Sequence, residues 1–314
     1  MALESAPLFE DIHPGPPGGR AVWTQTSDGK RIRLGLWAAD APKGTVLLFP
    51  GRTEYIEKYG ESACELAARG YATLAIDWRG QGLADRLLPD YATGHVEKFP
   101  DYQKDIAAMV AAAKELDVPK PYFLMAHSMG GCIGLRALME GLDVNAAAFT
   151  GPMWGIEISA ALRPVAWLLG RLMPAIGQGH RIAPSTAPEP YVVANPFEDN
   201  TLTRDREMWN MMGAQITAHP ELAIGGPSFI WLHEAIEETK ALAARPAPDV
   251  PSIAFLGDNE RIVRVDRIET RMANWSNGTL HLVKDGEHEV QMEGPEKRGE
   301  IFDRIAAHFD ANRG

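Results

Sequence analysis

Residues 122–131 read Tyr-Phe-Leu-Met-Ala-His-Ser-Met-Gly-Gly. The run from Tyr122 to Ala126 is apolar throughout, which suits a strand buried on both faces. After a tight turn, Met129 to Glu140 has the apolar spacing of a helix, with Gly141 as its stop. A serine on such a strand-to-helix turn is held in a strained conformation. Its hydroxyl stands clear of the backbone, beside the first N–H groups of the helix. Ser128 is therefore the candidate nucleophile. The turn crowds the residues two before and two after, so both must be small; they are Ala126 and Gly130. Glycine is usual at the first place, and Ala126 is a mild departure. The pattern alone is weak, since a small-x-Ser-x-Gly string arises by chance in on the order of one chain in five of this length. An ordinary N-cap serine is the competing reading. The order of elements on either side decides against it.

Upstream, Ala21–Ser27 and Arg31–Ala38 read as two strands around the turn Asp28-Gly29. Thr45–Phe49 is a continuous apolar run ending at Pro50-Gly51. Ile56–Arg69 then reads as a helix, Tyr71–Ile76 as a strand and Tyr102–Leu116 as a helix. Downstream of the serine, Ala146–Phe149 is a further strand. The first twenty residues, rich in Pro and Gly, are expected to lie as a loose arm. Wholly apolar strands that alternate with helices point to an α/β fold, with a mostly parallel central sheet covered on both faces.

The alternation stops at Gly151-Pro152. From Pro152 to Trp231 the composition changes, with Trp154, Trp167, Trp209 and Trp231 among many prolines and methionines. Leu162–Met173 and Glu207–Ala218 read as amphipathic helices. The expected organisation is a core of residues 1–151 and 232–314, with 152–231 inserted as a mainly helical cap. The rhythm then resumes: helix Leu232–Ala244, strand Ser252–Leu256, helix Asp266–Trp275, strand Thr279–Val283 and helix Pro295–Phe309.

The totals restrict the class. The 314 residues are 45% hydrophobic, enough for a large core. The formal net charge of -11 opposes nucleic-acid phosphates, and no basic run reverses it locally, so no nucleic-acid partner is expected. Cys64 and Cys132 both fall on expected helices, outside any C-x-x-C or Cys/His cluster, as free thiols of a reducing compartment would. The N-terminus lacks a basic n-region and an apolar h-region, and no run of about 18 apolar residues occurs. The expectation is a cytoplasmic chain without a transmembrane segment. No H-E-x-x-H or clustered Cys/His set appears, so no cofactor and no metal are implied.

A serine nucleophile needs a base and an acid. Among the nine histidines, His288 alone lies both downstream of Ser128 and on a loop after a strand, in Lys-Asp-Gly-Glu-His-Glu-Val. The acid must orient that imidazole. The loop after Ser252–Leu256 offers Asp258 and Glu260, and spacing from the strand end leaves both open. Two N–H donors must meet the developing oxyanion. One is Met129, the residue after the nucleophile; the other should come from the Pro50-Gly51-Arg52-Thr53 loop.

Five stretches now carry a resemblance: FPGRTEYIEKY at 49–59, DWRGQG at 77–82, AHSMGG at 126–131, GDNERIV at 257–263 and GEHE at 286–289. Together they resemble the α/β-hydrolase branch that contains monoacylglycerol lipases, lysophospholipase L2-like proteins and serine aminopeptidase S33 domains. They span nearly the whole chain except the cap. The resemblance implies the α/β-hydrolase fold and a serine hydrolase. In that branch the acid comes three residues after the glycine that ends the strand, which maps to Glu260 after Gly257, with glutamate in place of aspartate. The second oxyanion donor maps to Arg52. Pro50 stands where the branch has histidine, which bears on the conformation of that loop. Asp77 and Arg79 map to loop-bracing positions. The Arg52 side chain is expected either to meet an acidic substrate group such as a phosphate or to pair with Glu54 or Glu57.

The expected reaction is hydrolysis of a carboxylic ester through an acyl-enzyme on Ser128, His288 and Glu260. An apolar cap suits a small-molecule ester with an acyl chain, of lysophospholipid or monoacylglycerol type, and would allow transient contact with a membrane. An aminopeptidase on the same residues is the alternative; its substrate's amine would call for a cap carboxylate among Glu157, Glu189, Glu198 and Asp199. A non-catalytic binding protein on the same fold is the alternative of another class, and the intact Ser128, His288 and Glu260 argue against it.

Overall fold

The apolar runs become strands of one sheet in the structure, a computed structural model that describes residues 3–314 apart from 160–162 and 185. In chain order the elements are β1 (Glu4–Ala6), β2 (Arg20–Gln25), β3 (Arg31–Trp37), β4 (Thr45–Phe49), α1 (Gly60–Ala68), β5 (Ala72–Asp77), α2 (Tyr102–Glu115), β6 (Tyr122–His127), α3 (Met129–Met139) and β7 (Ala147–Thr150). They continue with α4 (Arg163–Ala175), α5 (Tyr191–Ala194), α6 (Arg206–Ala218), α7 (Phe229–Ala243), β8 (Ser252–Gly257), α8 (Val265–Ala273), β9 (Gly278–Val283) and α9 (Pro295–Ala311).

The strands form a nine-stranded sheet in the order β1-β2-β3-β5-β4-β6-β7-β8-β9. The first three pairings are antiparallel and the rest parallel. The side-chain period of two sends alternate residues of each central strand to opposite faces. Leu47, Phe49, Leu124 and Ala126 enter one buried cluster with Ile106, Met109, Ile133 and Ile268. Val46, Leu48, Phe123 and Met125 enter a second with Ala63, Leu66, Phe302 and Phe309. This is why the strands read as unbroken apolar runs.

Three expectations need correction, and a fourth falls partly outside the described residues. The N-terminal arm is not loose: β1 pairs with β2, and the Phe9 ring stacks on His219 at 3.8 Å between centroids. The helix expected from Ile56 begins as a single 3-10 turn, Ile56–Tyr59, and becomes α-helical only at Gly60. Helix α7 starts at Phe229, three residues before the expected start, because Ser228 caps it by accepting from the Trp231 amide. Helix α4 runs from Arg163; Leu162, its expected first residue, and the Trp167 side chain lie outside the described residues.

Because β4 and β6–β9 are parallel, the loops that follow them leave one edge of the sheet. Those loops carry residues 50–54, Ser128, Glu260 and His288. Asp77 and Arg79 brace this edge from beneath. Asp77 accepts from the Ile56 amide at 2.9 Å and from Arg33 at 2.7 Å. Arg79 pairs with Asp28 and Asp105. Among the described residues no helix is long and apolar enough to cross a membrane. Cys64 and Cys132 are free.

Candidate active site

Ser128 holds φ 48° and ψ -116°, a backbone region that costs a residue with a Cβ about 1–3 kcal/mol. Hydrogen bonds on both sides fix it there. Its N–H donates to Thr150 O at 3.1 Å, and its carbonyl accepts from Gly131 at 2.9 Å and Met153 at 2.8 Å. The turn presses α3 against the end of β4: a Cβ on Gly130 would lie 2.1 Å from Phe49 O. Gly130→Ala should therefore destabilise the fold by about 1–3 kcal/mol, read as a lowered denaturation midpoint.

The Ser128 hydroxyl lies 2.8 Å from His288 Nε2, and His288 Nδ1 lies 2.7 Å from Glu260 Oε2. A carboxylate only accepts, so Nδ1 carries the proton and Nε2 is left to accept from the serine. The other Glu260 oxygen accepts the amides of Ile262 at 2.7 Å and Val263 at 3.1 Å. Burial pushes the Glu260 carboxyl up, but the His288 charge and these hydrogen bonds outweigh it and hold the pKa below the ordinary value. Burial alone would lower His288; Glu260, helped by the charges of Glu289 and Glu54, outweighs it and raises the imidazole above its ordinary 6.5. Asp258 is exposed and makes no side-chain contact with His288. The reach of Glu260 depends on a close approach of two loops. A Cβ on Gly257 would sit 2.3 Å from Gly286 O, and the Asn259 amide donates to that same carbonyl at 3.0 Å.

Met129 is buried and opens α3, so its N–H has no acceptor within the helix. Arg52 follows Gly51 in the loop after β4 and lines the same cavity as Ser128 and His288. Pro50 leaves this loop well anchored. Trp78 Nε1 donates to Pro50 O at 2.9 Å, Gln81 donates to Gly51 O at 2.8 Å, and the Gly51 amide donates to the Glu54 carboxylate. Sequence reasoning missed Trp78, Gln81 and Glu54 in this role.

The Arg52 side chain pairs with neither Glu54 nor Glu57, contrary to one of its two expected roles. Glu57 is taken by buried Arg33, and Glu54 is drawn under the loop by Lys58 and Tyr59. Arg52 instead donates to Gly225 O at 2.7 Å and lies over the Trp231 ring at 5.7 Å from its centre. Burial brings its pKa down to about 10.

The cavity above Ser128 has a volume of about 630 Å³. Met153, Ile156, Leu169, Val192, Met212, Ile216 and Phe229, all from the segment between β7 and β8, supply apolar wall. Glu157 also lines it; Glu189, Glu198 and Asp199 do not, and the last two pair with Arg206 and Arg261. At its polar end Glu54, His127 and Glu289 bring ligand-type atoms within 4.8 Å of one another. The Lys58 ammonium already sits between the two carboxylates, so a side chain supplies the positive charge that a metal would bring.

Comparison with known proteins gives the class. The family model described as serine aminopeptidase, S33, matches residues 40–295. Lysophospholipase L2 of Escherichia coli (strain K12) is 30% identical over 291 residues, covering 89% of this chain and 84% of that protein. A probable lysophospholipase L2 of Haemophilus influenzae is 29% identical over 293 residues, 91% of each chain. A soluble variant of monoglyceride lipase from Saccharomyces cerevisiae, solved with a substrate analog, superposes with a TM-score of 0.72 at 18% identity, covering 93% of this chain and 95% of that one. The chain belongs to the serine aminopeptidase S33 family and has the α/β-hydrolase fold. Within it, the chain is a serine hydrolase whose curated relatives named above are lysophospholipases.

Proposed function

We propose that the chain hydrolyses carboxylic esters carrying one long acyl chain, with Ser128 as nucleophile, His288 as general base and Glu260 as the acid that orients it. The observation that carries this reading is the unbroken Ser128–His288–Glu260 relay beneath an apolar cavity of about 630 Å³. Ser128 Oγ attacks the acyl carbon while His288 Nε2 takes its proton. The amides of Met129 and Arg52 receive the oxyanion. His288 returns the proton to the leaving alcohol, and water repeats the sequence on the acyl-enzyme. Residues 152–231 act as the cap that selects the acyl chain, over a core of 1–151 and 232–314. Leu168 and Leu172 on α4, and Ile176 just past its end, are exposed four residues apart, which suits transient contact with a lipid surface.

Arg52 favours a lysophospholipid over a neutral monoacylglycerol. Among the described residues no carboxylate pairs with its guanidinium. A phosphate in the head group would supply the missing counter-charge. Arg52→Gln should lower kcat/KM for lysophosphatidylcholine about tenfold relative to monoacylglycerol of equal chain length, the lower value of a charge-assisted hydrogen bond. An unchanged ratio would remove Arg52 from head-group recognition. The whole reading is tested by kcat/KM across p-nitrophenyl esters of graded length, both lipids and an aminoacyl-anilide. A preference for the anilide would replace the ester reading with the aminopeptidase one.

A further inference from the structure

At the polar end of the same cavity lies a set of buried charges that the mechanism above does not use. Lys58 Nζ is 2.8 Å from Glu54 Oε1 and 2.6 Å from Glu289 Oε1, and all three side chains are at most 5% exposed. Each carboxylate belongs to a different working loop. The second Glu54 oxygen accepts the Gly51 amide and the Tyr59 hydroxyl, so Glu54 shapes the loop that presents the Arg52 amide. Glu289 follows His288 directly, and its own amide is pinned to Leu202 O at 2.8 Å. The His127 ring lies between these groups and the base, 3.6 Å from Glu54 and with its centre 4.8 Å from that of His288.

We infer that Lys58 is a positioning residue: its ammonium ties the oxyanion loop, through Glu54, to the His288 loop, through Glu289. The inference rests on the roles given above to Ser128, His288 and the Arg52 amide. Three buried charges are costly to hold unless each is paired, and here the pairing spans two loops that no strand joins. The bridge fixes the distance between the group that takes the proton and the donor that receives the oxyanion. Both must be in register at the same moment of the reaction, and a displacement of about 1 Å at such a site costs on the order of a hundredfold in rate. The sequence hides this bridge. Glu54 and Lys58 are four apart, the spacing of an ordinary solvated surface pair, and only the fold turns them inward.

The test uses the whole 314-residue chain and a p-nitrophenyl ester. Lys58→Met should lower kcat about a hundredfold while KM stays within about threefold. Glu289→Gln leaves the Lys58–Glu54 pair intact and is the second variant should Lys58→Met fail to fold. It should lower kcat about tenfold, again at constant KM. Folded variants that keep the wild-type kcat would overturn the inference. So would a raised KM at unchanged kcat, because Lys58 would then touch substrate rather than hold the loops. These outcomes are separate from failure of the hydrolase reading, in which Ser128→Ala would retain the wild-type rate.

Discussion

Ser128→Ala should reduce ester hydrolysis by a factor on the order of 10⁴ or more, with little loss of stability. The hydroxyl is the group proposed to become acylated, and it is the one bonded to His288 Nε2. The Oγ makes one side-chain hydrogen bond, to His288 at 2.8 Å, so removing it leaves the surrounding fold intact. In serine hydrolases, loss of the nucleophile alone costs nearly as much as loss of all three partners, because they act as a unit. Alanine also retains the left-handed backbone at 128, so the strain is unchanged rather than relieved. A kcat within tenfold of wild type would show that another group performs the attack.

The second large effect separates two carboxylates only two residues apart. Glu260→Gln should lower kcat by about 10³–10⁴, whereas Asp258→Asn should leave it within about twofold. Glutamine can present its NH₂ to Nδ1, which favours the tautomer with the proton on Nε2, so the serine loses its acceptor. The pH profile gives an independent check. Glu260 raises the pKa of His288 above its ordinary 6.5. The imidazole must be neutral to act as base, so the acid limb of kcat/KM in the wild type falls above that value. With the Glu260 carboxylate gone, only the charges of Glu289 and Glu54 still oppose burial, and the limb should move to lower pH. A limb that stays in place in Glu260→Gln, or a larger loss in Asp258→Asn, would assign the acid differently.

The parts of this molecule legible in the sequence are those where one local signal suffices. Strands β4 to β8 are buried on both faces and show as apolar runs, and Ser128 follows from the strand, turn and helix around it. His288 follows from its place after the last strand. Glu260 is legible as the candidate acid only through resemblance, because strand-end spacing admits Asp258 and Glu260 equally. What separates them is the closeness of the β8 and β9 loops at Gly257 and Gly286, a tertiary fact. Strand β1 is hidden in the sequence for a similar reason. Glu-Ser-Ala has no alternation of its own, and pairing with β2 makes it a strand. Pro227-Ser228 marks the start of α7, a local signal within the Trp-rich stretch. The Arg52 side chain and the Glu54–Lys58–Glu289 bridge were out of reach. Charged residues four or five apart look alike whether they face solvent or a buried cavity.

The central claim is that Ser128, activated by His288, carries the acyl group. Labelling with a fluorophosphonate, followed by peptide mass mapping, tests it most directly. The expected result is one adduct per chain, on Ser128, formed in step with loss of esterase activity and greatly slowed in His288→Ala. Absence of an adduct on Ser128 while the ester is still hydrolysed, or inactivation through a different residue, would contradict it.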